Sequence, residues 1–501
     1  LRCDSLVAGR RACRSVRNTR ALLSSRLQSS VWSSLRPAVP ARFSLFDGPA
    51  ALSVKADLVA SSLALLVAFI GWVVIRYSRT YLDGEAQEGR FHALMLGTLA
   101  AVLLFVQSSS LAMLVASTVL VGLGLKRLLL FYGERPEARR AAAKFGLVWH
   151  GADAVLLVAA ALLVGSYGTG DLGGIAMSAS EEGLTWGASV AIGLIVLAAT
   201  LKAAAFPLHG WLTEVMEAPT PVSALLHAGI INSGGMLLIA LSGLVQLSPG
   251  AMAALLMVGG FTALFGAAVM LTQSAVKTSL AWSTVSQMGF LLLQCGLGLW
   301  ALALLHIVAH SLYKAHAFLS SGGAVQAVAG LRRPGPIAVP SVGAVLKSFA
   351  VALALYTVIA VAFSALLEPK TAQALALGAI LIFGVAYLVA QGLADLAPAE
   401  LTKRTAVASF GAAIAYFAFQ AAAQAIWGPA LPAAPAPGPL EWALLVLAVA
   451  SFGLVAFAQA LFPLWAHHPS TAGLRVHLAN GFYLNALLDR AIGGFRTAKT
   501  N

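Results

Sequence analysis

LALLHIVAHSLYKAHAFL, residues 302–319, sets His306, His310 and Lys314 four and four residues apart in an otherwise largely apolar run. Four residues turn an α-helix by about 400°, so the three groups stack on one face, each about 6 Å above the last. Titratable groups inside a membrane are costly to hold and mark ion or proton paths, so the row has that meaning if the helix lies in a bilayer.

The composition supplies the bilayer. Of 501 residues, 59% are hydrophobic and only 10% charged, with a mean hydropathy of +0.86. Apolar runs of about 20 residues, each long enough to span a membrane, recur along the chain. Bounded by charges, Pro and Gly, they fall near 57–77, 92–106, 109–132, 145–167, 185–206, 219–245, 250–272, 280–298, 299–321, 343–367, 373–394, 405–427 and 440–463. The chain therefore reads as an all-α polytopic membrane protein of roughly 13 transmembrane helices, with no soluble domain left over. Trp72, Tyr77, Trp186, Trp427, Trp442 and Trp465 fall near proposed ends, where an aromatic belt would sit.

Charge sets the orientation. GERPEARRAAAK (133–144), Arg332 with Arg333, and Lys403 with Arg404 share one side. TGDLGGIAMSASEEG (169–183) and GPALPAAPAPGPL (428–440) have no Lys or Arg and lie on the other. The basic side is read as cytoplasmic, which places the chain in a cell inner membrane. Residues 1–50 break the pattern: nine Arg against Asp4 and Asp47 give +7 of the chain's +13. This arm is expected to be disordered or non-native, and it reads either as a transit-type segment or as an altered start. The transmembrane domain is assigned to 51–466 and an amphipathic C-terminal segment to 467–501, where LRVHLANGFYLNALLDRAIGGFR (474–496) is too polar to span and should lie on the membrane surface or against a partner. The basic balance follows from the arm and the topology and does not indicate nucleic-acid binding.

Cys3, Cys13 and Cys295 make neither a disulfide framework nor a metal cluster. No Gly-rich fingerprint follows a strand, and His306 with His310 has no third ligand, so neither cofactor nor metal is expected in this chain and no catalytic chemistry of its own. Further candidate path residues join the row His306, His310 and Lys314. In LKAAAFPLHGWLTEVMEAPTPVSALLHAGIINSGGMLL (201–238), Pro219, Pro221, Gly229, Gly234 and Gly235 predict an interrupted helix, with Lys202 before it and His227 within it. In SAVKTSLAWSTVSQMGF (274–290), Lys277 introduces a helix dense in Ser, Thr and Gln, which either lines a hydrated path or bonds neighbouring helices. Asp153, in the apolar VWHGADAVLLVAA (148–160), requires a basic partner on another helix or His150, three residues earlier.

HGWLTEVMEAPTPVSALLHAGIINSGG, VKTSLAWSTVSQMGF and LLHIVAHSLYKAHAFLSSG, in this order and spacing, resemble the proton-translocating antiporter-like family, which includes the large membrane subunits of respiratory complex I and the Mrp-type antiporters. The resemblance covers most of 57–330 and implies two inverted five-helix repeats with broken helices and a central lysine in each. It aligns Lys202, Lys277, and the row His306, His310 and Lys314 with the family's lysines and histidines. One departure stands out: Thr118 occupies the position where complex I members carry the glutamate that pairs with the first lysine, so Lys202 needs Asp153 or Glu214 instead. Lys347, in VGAVLKSFAV (342–351), is a stand-in for the second-half lysine.

LKRLLLFYGERPEA (125–138), the 209–229 form of the broken helix and VHLANGFYLNALLDR (476–490) resemble a divergent branch, the membrane subunits of DAB-type inorganic-carbon accumulation systems. That resemblance implies an H+- or Na+-conducting subunit, partnered by a DabA-like zinc-binding, carbonic-anhydrase-like subunit and energising net CO2 hydration to bicarbonate. The alternatives are a proton-pumping subunit of a complex I-type NADH-quinone oxidoreductase or an Mrp-type antiporter, and a transport-inactive scaffold.

Overall fold

A computed structural model describes residues 41–46, 48–323, 341–366, 370–392, 399–461, 465 and 468–491. Residues 1–40 of the Arg-rich arm and the Arg332–Arg333 pair lie outside the described residues.

A short antiparallel hairpin, β1 (Ala41–Ser44) with β2 (Ser53–Ala56), pairs Arg42 with Lys55 and Phe43 with Val54. It leads into α1 (Leu58–Tyr81), which Asp57 caps by accepting from the Ala60 N–H at 2.7 Å. Then come α2 (Glu88–Val106), α3 (Leu111–Leu129), α4 (Pro136–Tyr167), the short α5 (Leu172–Glu182) and α6 (Trp186–Lys202). Ser110 and Thr185 cap α3 and α6 from their side chains, and Pro136 opens α4, where its missing N–H is not needed. The fold continues through α7 (Gly210–Glu214), α8 (Thr220–Ala228), α9 (Ser233–Ala240), α10 (Ser242–Val245), α11 (Pro249–Met270), α12 (Val276–Gly296) and α13 (Trp300–Leu319). The second half has α14 (Val342–Leu366), α15 (Ala372–Gly392), α16 (Ala399–Trp427) and α17 (Pro439–Ala460), and the chain ends in α18 (Ala472–Ala479) and α19 (Leu484–Ala491).

Each apolar window of the sequence holds a helix, with α8 and α9 together filling 219–245. Ten spans are long and apolar enough to cross a membrane, among them Thr220–Ala240 taken across its break. Two shorter apolar stretches follow by the same measure, α6 and the Ala372–Gly384 part of α15. The remaining one, α12, has Ser, Thr and Gln at so many positions that its apolarity falls short, yet Thr284, Val285, Met288 and Leu291 to Gly296 are buried among its neighbours.

Two interruptions shape the first half. Directly after Lys202 the chain leaves helical geometry, Ala204 sits at φ 49°, and helix resumes only at Gly210. The freed backbone finds partners nearby: Phe206 N–H donates to Thr262 Oγ1 at 3.1 Å, and the Leu201 carbonyl accepts from Trp211 Nε1 at 3.2 Å. The second break, a tighter turn at Ile230–Asn232, separates α8 from α9, and Asn232 Nδ2 donates to the Ala228 carbonyl and to Ser311 Oγ, both at 3.1 Å. Pro219 and Pro221 mark a gap of their own, the non-helical Ala218–Pro219 ahead of α8. They open α8, with Pro221 in its first turn, while the break falls at Gly229 and beyond. In the second half α14 to α17 run unbroken over their described residues.

The closest helix pair is α11 with α12. A Cβ on Gly259 would run into the Leu293 backbone nitrogen, and one on Gly289 into that of Ala263, so only glycine allows the two backbones to meet. This contact fixes α12, which supplies the polar partners of Lys314, His227 and His306.

Candidate functional site

Lys202, the last residue of α6, is fully buried, and its Nζ lies 2.6 Å from Asp153 Oδ1 on α4. The second carboxylate oxygen takes a hydrogen bond from His150 Nδ1 at 3.0 Å. The Trp149 ring closes the cage, its centroid 4.0 Å from Lys202 Nζ, and its indole N–H donates to the Thr118 carbonyl at 3.1 Å. Thr118 is buried, and its hydroxyl turns back to the Val115 carbonyl. The counter-charge of Lys202 is thus carried by Asp153 from a different helix.

Glu214 does not serve Lys202. It sits at the end of α7, 2.9 Å from Lys144 Nζ and 3.4 Å from Arg140 Nε. Lys144 precedes Asp153 by nine residues, which places this second cluster about 13 Å along α4 toward the basic face. Asp489 of α19 completes it, at 2.6 Å from both Lys144 Nζ and Arg140, and Asn485 bonds to both Lys144 and Glu214. Sequence reasoning missed Lys144, Arg140, Asn485 and Asp489. The like spacing of Asn485 and Asp489, four apart on one face of a strongly amphipathic stretch, was the available signal.

Lys314 on α13 is also fully buried, but its partners are neutral: Ser283 Oγ at 2.8 Å and the Leu280 carbonyl at 3.0 Å. Among the described residues no carboxylate forms an ion pair with it. The Leu280 carbonyl also accepts from the Thr284 hydroxyl at 2.9 Å, and that hydroxyl lies 3.0 Å from His227 Nδ1. Because Thr284 donates to Leu280, it must accept from His227, which fixes the Nδ1–H tautomer and leaves Nε2 as a free acceptor. That nitrogen is buried and has no protein partner. Phe318 stacks on the His227 ring at 4.3 Å and holds it in place. Lys314, the Leu280 carbonyl, Thr284 and His227 therefore form one continuous polar chain between α13, α12 and α8.

His310 and His306 continue the row along α13, their ring centroids 5.9 Å apart. His306 Nδ1 lies 2.8 Å from Gln294 Oε1, an acceptor, so its Nε2 is likewise free, and both ring nitrogens of His310 are buried without a protein partner. Since α13 crosses the bundle, the row rises about 12 Å from Lys314 to His306, toward the Lys/Arg-poor face. Buried polar atoms left without partners are sites for ordered water, and those of His227, His310 and His306 lie along this run. Two of the sequence candidates stand apart. Lys277 is half-buried in the first turn of α12, and Lys347 is exposed near the start of α14. Gln294, Thr284 and Ser283 were legible only as polar residues of α12.

Buried lysines, one paired and one not, joined to histidines with free nitrogens on crossing helices, are the parts of an ion-translocating membrane protein. Residues 108–333 match the family model of the NADH:quinone oxidoreductase/Mrp antiporter transmembrane region. The chain is also similar to inorganic-carbon transporter subunits. It is 48% identical over 276 residues to the probable inorganic carbon transporter subunit DabB2 of Halothiobacillus neapolitanus, covering 55% of this chain and 50% of that one. It is 46% identical over 263 residues to the probable subunit DabB of Hydrogenovibrio crunogenus, covering 52% and 51%. The NADH-quinone oxidoreductase subunit L of Mycobacterium tuberculosis is 36% identical over 282 residues, covering 55% and 44%. The chain spans about half the length of the curated relatives it matches. A chain in the structure of the Mrp complex from Dietzia superposes with a TM-score of 0.55 at 25% identity, covering 92% of this chain and 53% of that one.

Proposed function

We propose that this chain is the proton-conducting membrane subunit of an energy-coupled inorganic-carbon uptake system in a cell inner membrane, working with a zinc-bearing, carbonic-anhydrase-like partner of the DabA type. The observation that carries the ion-path reading is the buried Lys202–Asp153 pair together with the chain from His227 through Thr284 to Lys314. The carbon-uptake assignment rests on similarity: 48% and 46% identity to proteins named as inorganic carbon transporter subunits, against 36% to the oxidoreductase subunit.

The chemistry of the path favours H+ over Na+. A hard cation needs several oxygen ligands to replace its water. Between Lys202 and His306 the path offers imidazole nitrogens, two ammonium groups and single hydroxyls, and its carboxylate, Asp153, is already held by Lys202 and His150. Imidazoles with one donor and one free acceptor can take a proton on one nitrogen and release it from the other.

The test is growth of a cell that lacks carbonic anhydrase and cannot grow in ordinary air. This chain alone should fail to rescue it, and co-expression with a DabA-type partner should succeed. A protonophore should abolish bicarbonate accumulation, and replacing Na+ in the medium should not. Rescue by the chain alone would overturn the division of labour. Failure with a stably assembled partner would favour a complex I-like or Mrp-like subunit, for which the likeness to the Mrp structure speaks.

A further inference from the structure

The C-terminal segment docks onto the basic-face end of the Lys202 site. Gln273 Nε2 donates to the Ala479 carbonyl at 3.1 Å, Phe482 packs 6.3 Å from Phe265, and Gly481 lies against Trp282, where a Cβ would approach to 3.1 Å. Asn485 fills the space over Gly210, where a Cβ would collide with its side-chain oxygen. Behind Phe265 and Trp282 lies His209, which is 1% exposed with Nδ1 unpartnered, and the non-helical stretch that leads to it from Lys202 begins with Ala203, Ala204 and Ala205, all buried.

The charges are matched only when α19 is in place. Arg140 and Lys144 bring two positive charges, Glu214 one negative charge, and Asp489 of α19 the second. With α19 away, Lys144 loses two of its three polar partners and the cluster gains a net positive charge, which water would have to solvate. The turn that carries α19 is itself unusual. Gly481, Phe482 and Tyr483 have φ of 55°, 53° and 57°, three successive left-handed residues of which two are bulky aromatics. Such a conformation persists only where the surroundings over-determine it, and it clusters at switches.

We propose that residues 472–491 form a latch that closes the basic-face mouth of the Lys202–Asp153 site, with Asp489 as its bolt and Gly481–Tyr483 as its hinge. The proposal rests on Lys202 being part of the transport path, and it makes mouth opening a step in the cycle. Ions reach Lys202 from the basic face when Asp489 leaves Lys144 and Arg140.

The test uses the full chain with Cys3 and Cys13 changed to Ser, Cys295 retained as a buried control, and Ala205→Cys as the reporter. In inverted vesicles a membrane-impermeant maleimide should label the reporter slowly. Asp489→Lys should raise the labelling rate at least tenfold, Asp489→Asn less, and the swap Arg140→Asp with Asp489→Arg should bring it back toward the starting rate. Folding is monitored by unchanged protection of Cys295. Separately, Gly210→Cys with Asn485→Cys should oxidise to a cross-link that stops uptake by the co-expressed system, with reduction restoring it. Equal labelling in all variants, or full uptake through the oxidised form, would overturn the latch. Altered labelling in a protein that supports no transport with any partner would leave the latch standing and overturn the functional reading instead.

Discussion

Asp153→Asn isolates one charge in the membrane interior and leaves the shape of the site almost unchanged. The pair it breaks is short, 2.6 Å, with side-chain exposures of 0% for Lys202 and 5% for Asp153. At an effective dielectric near 20, unit charges at that separation attract by about 6 kcal/mol. Part of this offsets the desolvation of the two groups, and removing one partner of such a buried pair typically destabilises by about 3–5 kcal/mol, because the other charge is stranded. The Asn amide still offers an oxygen to Lys202, so the expected loss lies near the low end, about 3 kcal/mol. Replacing both charges, Asp153→Asn with Lys202→Met, should recover most of it, since no charge is then left uncompensated. The assay is reversible unfolding of the purified protein in mixed micelles, run as a double-mutant cycle, with uptake measured on the same four proteins. Each single variant should abolish uptake, and the stability cycle should show a coupling of at least 2 kcal/mol. A loss under about 1 kcal/mol for Asp153→Asn, or strictly additive effects, would refute the claim that these residues act as one unit.

Lys314→Met should abolish uptake while the protein still inserts and purifies normally, because its partners Ser283 and Leu280 are neutral and strand no charge when it goes; normal uptake would show the row to be structural. His316, exposed on the other side of α13, should tolerate Ala with less than a twofold change in uptake, and a large loss there would contradict the facial argument. Thr284→Val keeps the volume but removes the acceptor of His227; uptake should fall at least tenfold with stability lowered by about 1–3 kcal/mol, and Thr284→Ser should restore both. Gly259→Leu should force α11 and α12 apart and cut the yield of folded protein, an effect read by detergent size-exclusion and absent if the backbones do not touch there.

Span positions were legible because a membrane helix is a local property, about 20 apolar residues in a row, and this chain writes that property repeatedly. Asp153 announced its need for a partner by being an acid among alanines and leucines, and the family pattern narrowed the choice to Lys202. The break after Lys202 was not legible in the same way. KAAAF by itself reads as helix; the signal against it is Pro207, which cannot continue a helix and disfavours helical geometry at Phe206, and the freed Phe206 amide is taken up by Thr262 of α11. Glu214, the other carboxylate offered for Lys202, was equally illegible, because α7 carries it to Lys144 instead. The Lys144–Asp489 contact joins positions 345 residues apart. In the sequence each looks like an ordinary charge at a membrane surface, and only packing brings them together.

The geometry also decides what kind of work such a chain can do. On the proposed function, a proton moving through the path carries charge across the membrane potential, releasing about 2.3 kcal/mol for each 100 mV. A tenfold concentration ratio corresponds to about 1.4 kcal/mol. One proton crossing 100 mV therefore sustains a bicarbonate ratio of roughly 40-fold, if a partner uses the energy without loss. That conversion demands that proton movement be gated, since an open path would dissipate the potential with no product. Two features supply the places where a gate can act. Lys202 is held by a full counter-charge while Lys314 is held only by neutral oxygens. A proton cannot pass between two such unequal sites without rearrangement of the groups around them. The latch proposed above, in turn, would cover the mouth beside Lys202 with a segment whose Asp489 balances Arg140 and Lys144. On the proposed function, the asymmetry between the two lysines and the cover proposed for one of them are what a conduit driving chemistry on another subunit would require.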